Sequence, residues 1–280
     1  MQKITLITDS TWDRDNKISE DMDIKVIPLN VHFSEKQYLD GIDLTQEKFV
    51  KKLEESEELP TTSQPTPLQF EEVFREELEK GNKVLYIGVA SKLSGTFNSA
   101  NIAKESISND NIYLIDSETV SAGLAILLKI AYDLIQEGRK IDEIVNQIES
   151  IKLKVKMCGY VDTLKYLHKG GRLSSTQAFI GSVLNVKPIL SMQLGEITSL
   201  DKARGKKSAI KKVVEIFDKE KFDSNYPIAF AHINAVEELD LLIDEIAVKN
   251  NIEDYWTQDL GSVVGTHVGP GTIMVGFVKK

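Results

Sequence analysis

The sequence predicts an α/β protein built as two domains. Three observations carry that expectation. Short apolar runs alternate with helical patterns through the first half of the chain. Those runs end at small hydroxyl or carboxylate residues: Asp9-Ser10-Thr11, Ser91 with Ser94 and Thr96, and Asp116-Ser117. Beyond about residue 153 the alternation gives way to hairpins mixed with helices. Strands that alternate with helices pair in parallel through right-handed crossovers, and ligands gather at the carboxyl ends of such strands. The expected units are an α/β domain over residues 1–153 and an α+β domain over residues 154–280.

Each element has a local reason. Ile4 to Ile7 reads as the first strand, and Ile24 to Val31 as a second extended run. A helix starting near Thr45 sets Phe49, Val50 and Leu53 on one face. Thr66 is the N-cap of the next, with Pro67 at its first position and Gln69 completing a capping box. Phe70, Val73, Phe74 and Leu78 form its apolar stripe, and Gly81 ends it. Val84 to Val89 is a strand, followed by the loop ASKLSGTFNSAN and a helix to about Ser106. Ile112 to Ile115 is the next strand. The helix from about Val120 to Glu137 is apolar nearly all round, which marks it as buried, and Gly138 caps it. A helix near Ile141 to Ile151 and a strand from Val155 to Val161 follow. Gly170 to Ser174 reads as a turn with Ser174 as N-cap, and Leu194-Gly195-Glu196 joins a hairpin. A basic helix from Lys206, a strand at Tyr226 to Ala231, a helix from Val236 to Lys249 and a last strand at Gly271 to Val278 complete the chain.

Composition narrows the function classes. The net charge of -9 argues against a nucleic-acid surface. Cys158 is the one cysteine, so there is no disulfide framework and no thiolate metal cluster. The four histidines lack paired spacing, which argues against zinc. No apolar run approaches the ~20 residues of a membrane span, and no signal-peptide core follows the first strand. The expected compartment is the cytoplasm.

Four stretches are candidates for chemistry. Thr62 and Ser63, ahead of a helix, could donate to an oxygen-rich ligand; the spacing alone favours plain capping and solvation. Ser94, Gly95 and Thr96 suit an anion, held by hydroxyls, backbone N–H groups and the helix dipole. Lys92 and Thr96 stand where a nucleophile elbow requires glycines, and no phosphate loop fits. His267 lies in Gly265-Thr266-His267-Val268-Gly269-Pro270-Gly271, a rigid turn that would aim it into a cleft; an incidental surface histidine fits equally well. Arg172 sits in a glycine turn, a setting for a projecting side chain. Arg204 belongs to a basic cluster that is either a solvated face or a docking patch.

In their order along the chain, Asp9-Ser10-Thr11, Thr62-Ser63-Gln64-Pro65, Leu93-Ser94-Gly95-Thr96, Gly171-Arg172-Leu173-Ser174, Lys187-Pro188-Ile189 and His267-Val268-Gly269-Pro270-Gly271 resemble the DegV family over essentially the whole sequence. The resemblance implies an N-terminal three-layer α/β/α domain with a parallel sheet and a C-terminal two-layer α+β domain with a mixed sheet. It implies a long-chain fatty acid bound between them, no cofactor and no catalytic residue of its own. Members of the FakB type present the acid to a separate ATP-using fatty-acid kinase, which makes the acyl phosphate for phospholipid synthesis. Hydroxyls matching Thr62 and Ser94 hold the carboxylate, with Ser63, Gly95, Thr96 and His267 beside them. Neutral donors leave a carboxylate its charge and nucleophilicity, which a tight arginine pair would dampen. Positions matching Arg172 and Arg204 are expected to contact the kinase or the phosphate. Trp12 and Phe97 depart from the family pattern. Two rivals stay open: a stand-alone phosphotransferase or hydrolase using Ser94, His267 and Asp116, and a lipid transport or sensing protein with no kinase.

Overall fold

The computed structural model describes residues 3–13, 22–173 and 185–280. Strands β1 (Ile4–Asp9), β2 (Ile24–Ile27), β6 (Lys83–Gly88) and β7 (Ile112–Asp116) form a sheet in the order β2-β1-β6-β7, parallel throughout. Successive strand side chains point to opposite faces, and that decides what covers each one. Ile7, Val84 and Tyr86 pack with Phe70, Phe74, Ala100 and Ala103. Those come from helices α2 (Pro67–Glu79) and α3 (Thr96–Ile107). Leu6, Leu85 and Ile87 face the other way, into a cluster with Leu124, Leu128 and Ile148. Those belong to α4 (Ser121–Gln136) and α5 (Ile141–Lys152). Three layers result.

The second sheet is mixed and runs β10-β9-β8-β13-β11-β12. Its strands are β8 (Val155–Tyr160), β9 (Val186–Gln193), β10 (Glu196–Arg204), β11 (Ile228–Ile233), β12 (Tyr255–Asp259) and β13 (Thr272–Val278). The β11–β12 pair is parallel and the others antiparallel. One face, with Tyr160, Phe230 and Phe277, packs against Ile210, Val213, Phe217 and Leu242. Those lie on α7 (Lys206–Glu220) and α8 (Val236–Ile243), the latter running on into a π-helical turn, Asp244–Val248. The other face turns toward the first sheet, with α4 between them. Gly276 lets α4 approach closely, since a Cβ there would lie 3.0 Å from the Ala122 backbone carbon. Packed between two sheets, α4 has no solvent-facing stripe, which accounts for its all-round apolar sequence. The chain crosses from one sheet to the other between Lys152 and Val155.

Several elements differ from the sequence expectation. Residues 24–31 are not one strand. Pro28 breaks the run, and the Leu29 amide leaves the sheet to donate to Ser10 Oγ at 3.1 Å. The chain then forms a small antiparallel sheet from β3 (Asn30–Phe33), β4 (Lys36–Leu39) and β5 (Thr61–Ser63), in the order β4-β3-β5. Helix α1 (Gln46–Glu55) carries Phe49 and Leu53 inward, with Thr45 as its N-cap. Thr61 to Ser63, ahead of α2, therefore form a strand. Helices α6 (Lys165–Lys169) and α9 (Ser262–Val268) were not anticipated, nor was β12. Ser174, expected as an N-cap, lies outside the described residues. Among the described residues no helix is long and apolar enough to cross a membrane.

Candidate functional site

The site grows from the carboxyl end of the parallel sheet. Asp9, fully buried, ends β1 and organises the neighbouring loop. Its Oδ2 accepts from Tyr86 Oη at 2.8 Å and from the Val89 amide at 2.9 Å, while Oδ1 accepts from the Thr11 hydroxyl. Burial pushes its carboxyl above the usual range, and these three donors, with the Thr11 amide, oppose the shift. Asp116, at the end of β7, accepts from the amides of Ser91 and Glu118. Two carboxylates thus fix the loop that precedes α3.

In that loop Ser94 Oγ lies 2.8 Å from Thr96 Oγ1 and accepts from the Thr96 amide. Gly95, at the helix start, is covered by the Gln64 side chain; a Cβ there would lie 2.0 Å from Gln64 Oε1. Gln64 follows β5, and Thr62 Oγ1 on β5 lies 2.9 Å from His267 Nε2. The His267 ring rests on Gly170, where a Cβ would meet Nδ1 at 2.3 Å. Arg172 closes the circuit, donating from Nε to the Leu93 carbonyl at 3.0 Å and from Nη1 to the Gly170 carbonyl. Thr62, Gln64, Gly95, Ser94, Leu93, Arg172, Gly170 and His267 therefore surround one spot. Ser63 lies beside it, its Oγ 2.9 Å from His32 Nε2.

Two placements correct the sequence reading. His267 is not in a turn. It is half-buried in the last turn of α9, where Gly265 packs against Phe49 and Ile233 and Gly269, at φ +76°, lies on the Tyr166 ring. Arg172 does not project outward. It is half-buried, and its partners among the described residues are carbonyls, not carboxylates. Arg204 is exposed at the far end of β10. Eight strand steps, about 26 Å, separate it from Glu196 at the hairpin turn, where Glu196 pairs with Lys92. The Ser94, His267 and Asp116 relay of a hydrolase is not assembled: His267 Nε2 is on Thr62, and its buried Nδ1 has no partner among the described residues. The two departing residues pack inside, Trp12 in the central core and Phe97 stacked on Tyr86.

Burial, and then the Arg172 charge, depress the His267 pKa to about 4, so the ring is neutral near pH 7. The sign for stability follows. Between pH 6.5 and about 4 the unfolded chain takes up a proton at this histidine and the folded chain does not. Stability therefore falls as pH falls through that window, by on the order of 2 kcal/mol once partial exposure is allowed for. Denaturant titrations across the window should show a shallower slope for His267→Gln. An unchanged slope would mean that the ring protonates freely.

Beside the ring of donors lies an apolar cavity of about 60 Å³. Val264 and Val268 of α9 and Leu167 of α6 line it, with the inner face of the second sheet as its floor. The helix that carries His267 is thus also a cavity wall. Its N-terminus is held from the first half of the chain: Asp13 Oδ1 accepts from the Gly261 amide at 2.7 Å, and Asp40 Oδ1 from the Ser262 amide at 2.9 Å. Neither carboxylate was visible as functional in the sequence. No group of three or more His, Cys, Asp or Glu among the described residues is disposed to hold a metal ion.

The family model described as "uncharacterised protein, DegV family" matches residues 3–280. Protein DegV of Bacillus subtilis is 35% identical over 280 residues, covering 99% of each chain. Among solved structures, the fold is similar to a fatty-acid-binding DegV family protein of Thermus thermophilus, with TM-score 0.91 and 30% identity over 99% of this chain and 100% of that one. It is equally similar to a fatty-acid-binding DegV family protein of Streptococcus agalactiae, with TM-score 0.91 and 31% identity over 100% of both.

Proposed function

The chain belongs to the DegV family, and from that membership and the geometry of its cleft we propose that it binds one long-chain fatty acid and presents the carboxylate to a separate fatty-acid kinase in the cytoplasm. The observations that carry the reading are an apolar cavity walled by Val264 and Val268 of α9 and two uncharged donors, Thr62 and Ser94, the first of them bonded to His267 on the same helix. Each buried CH₂ contributes about 0.8 kcal/mol, so a chain of about 16 carbons would gain roughly 11 kcal/mol on full burial. The two donors orient the head group. Thr62 has one hydrogen to give. For it to reach a carboxylate, Thr62 Oγ1 accepts from His267 Nε2–H, which in the neutral ring that the depressed pKa maintains means the Nε2–H tautomer. Ser94 Oγ gives its hydrogen to the carboxylate in the same way, with Thr96 Oγ1 as its donor.

Protein purified under native conditions should carry about one fatty acid per chain, identified by native mass spectrometry and again after denaturation. Thr62→Ala and Ser94→Ala should each weaken binding by a hydrogen bond to a charged oxygen, about 1.5–3 kcal/mol, with the fold intact. Protein that is lipid-free and takes up no fatty acid from a panel refutes the reading. Binding without acyl-phosphate formation, when a fatty-acid kinase and ATP are added, replaces the kinase role with transport or sensing.

A further inference from the structure

The floor of the cavity has an unusual composition. Cross-strand register sets two rows of inward residues on the second sheet. Leu190 and Met274 flank Gly159, and Met157 pairs with Gly276. Met157, Met192 and Met274 all line the cavity, and each is buried. They are three of the five methionines in the chain. A methionine has three rotatable bonds and a polarizable sulfur, so it repacks around differently shaped neighbours at low cost.

Three hydroxyl-bearing residues lie at the wall; Tyr160 packs into the cluster on the opposite face of the sheet, and the other two bond away from the cavity. Ser191 Oγ donates to the Met157 carbonyl at 2.8 Å, and Thr272 Oγ1 to the Gly269 carbonyl at 2.9 Å. The cavity surface is almost wholly apolar. Among the described residues, neither Ser191 nor Thr272 has a hydroxyl hydrogen left for an oxygen carried into it, and the Tyr160 hydroxyl lies on the other face of the sheet, so such an oxygen would be buried without a partner, which is strongly disfavoured.

Taking the fatty-acid reading as its basis, we propose that Met157, Met192 and Met274 form a deformable pocket that accepts straight and bent acyl tails alike and rejects tails that end in oxygen. The specificity of the protein is then for an unfunctionalised chain end and not for one chain shape. Promiscuous sites elsewhere use flexible methionine surfaces in this way.

The test uses delipidated full-length protein and three probes: hexadecanoic acid, cis-9-octadecenoic acid and 16-hydroxyhexadecanoic acid. The first two should bind within about threefold of each other, and the third about 10- to 100-fold more weakly. Met192→Ile, which substitutes a stiff β-branched side chain, should separate the straight and bent acids by about tenfold or more. Met192→Leu, close in volume, serves as a second variant should the isoleucine protein fail to fold. It should widen the gap in the same direction by a smaller factor. A wild-type preference above tenfold for either tail shape, or no widening in the folded variants, overturns the methionine role. Equal binding of the hydroxy acid overturns the rejection of oxygen. If none of the three acids binds, the fatty-acid reading itself fails, which separates that outcome from the others.

Discussion

Asp40→Ala should be among the most destabilising single substitutions in this protein, costing about 4 kcal/mol and lowering Tm by about 10 °C. Asp40 follows β4, is 3% exposed, and accepts from both the amide and the hydroxyl of Ser262, at the start of α9. Ser262 is itself fully buried, so alanine would strand two donors at about 1–3 kcal/mol each. Total folding stabilities are about 5–15 kcal/mol, so the loss is a large fraction. Asp40→Asn should behave very differently. Burial, first among the causes, holds the Asp40 carboxyl above the usual range, so ionising it inside the fold is costly. Asparagine keeps an acceptor oxygen for Ser262 and removes the charge, and should stay within about 1 kcal/mol of the parent. Thermal or denaturant unfolding of both variants at neutral pH checks the contrast. An alanine variant as stable as the asparagine one would show that the Asp40 contacts with α9 contribute nothing.

That capping site also marks where the sequence stops being legible. Local signals survived folding well. The Thr66–Gln69 capping box forms as the residue types dictate, and Ile7 and Leu6 fall on opposite faces as strand alternation requires. The apolar helix α4 was recognisable because being enclosed on all sides leaves no polar stripe. The site depended on longer-range facts. Thr62 and His267 are 205 residues apart and meet through a small sheet hidden behind Pro28. Gly265 and Gly269 read as turn residues, yet Gly265 is needed because Phe49 and Ile233 approach the helix too closely for a Cβ. β12 does alternate, with Trp256 and Gln258 inward, but a buried glutamine hides the pattern. Asp13 and Asp40 belong to no motif, and their partners lie more than 200 residues further on. Family resemblance reached Thr62, Ser94 and His267 as candidates where spacing alone left capping and surface roles open.

Arg172→Gln should lower fatty-acid affinity about 100-fold while leaving the protein folded. A side chain projecting from a glycine turn, the expectation from sequence, predicts no change in affinity and an effect on the kinase step alone. The inward geometry reverses the order of effects. The guanidinium is half-buried beside Leu93 and Gly170, and burial lowers its pKa without removing its charge. Its partners among the described residues are carbonyls, so no described carboxylate neutralises the cation. A fatty carboxylate about 6 Å away would gain about 3 kcal/mol at an effective dielectric of about 20, which is roughly that 100-fold. Arg172→Lys keeps the charge and loses the fork that bridges Leu93 and Gly170, so it should fall between glutamine and the parent. The control is Arg204→Ala. Arg204 is exposed at the end of β10 away from the hairpin turn, so its loss should leave fatty-acid affinity unchanged and alter at most the kinase-coupled step. Calorimetric titration of each variant with hexadecanoic acid, paired with an acyl-phosphate assay at saturating acid, separates binding from docking. Parental affinity in Arg172→Gln, together with a lost kinase step, would return Arg172 to the outward role the glycine turn suggested.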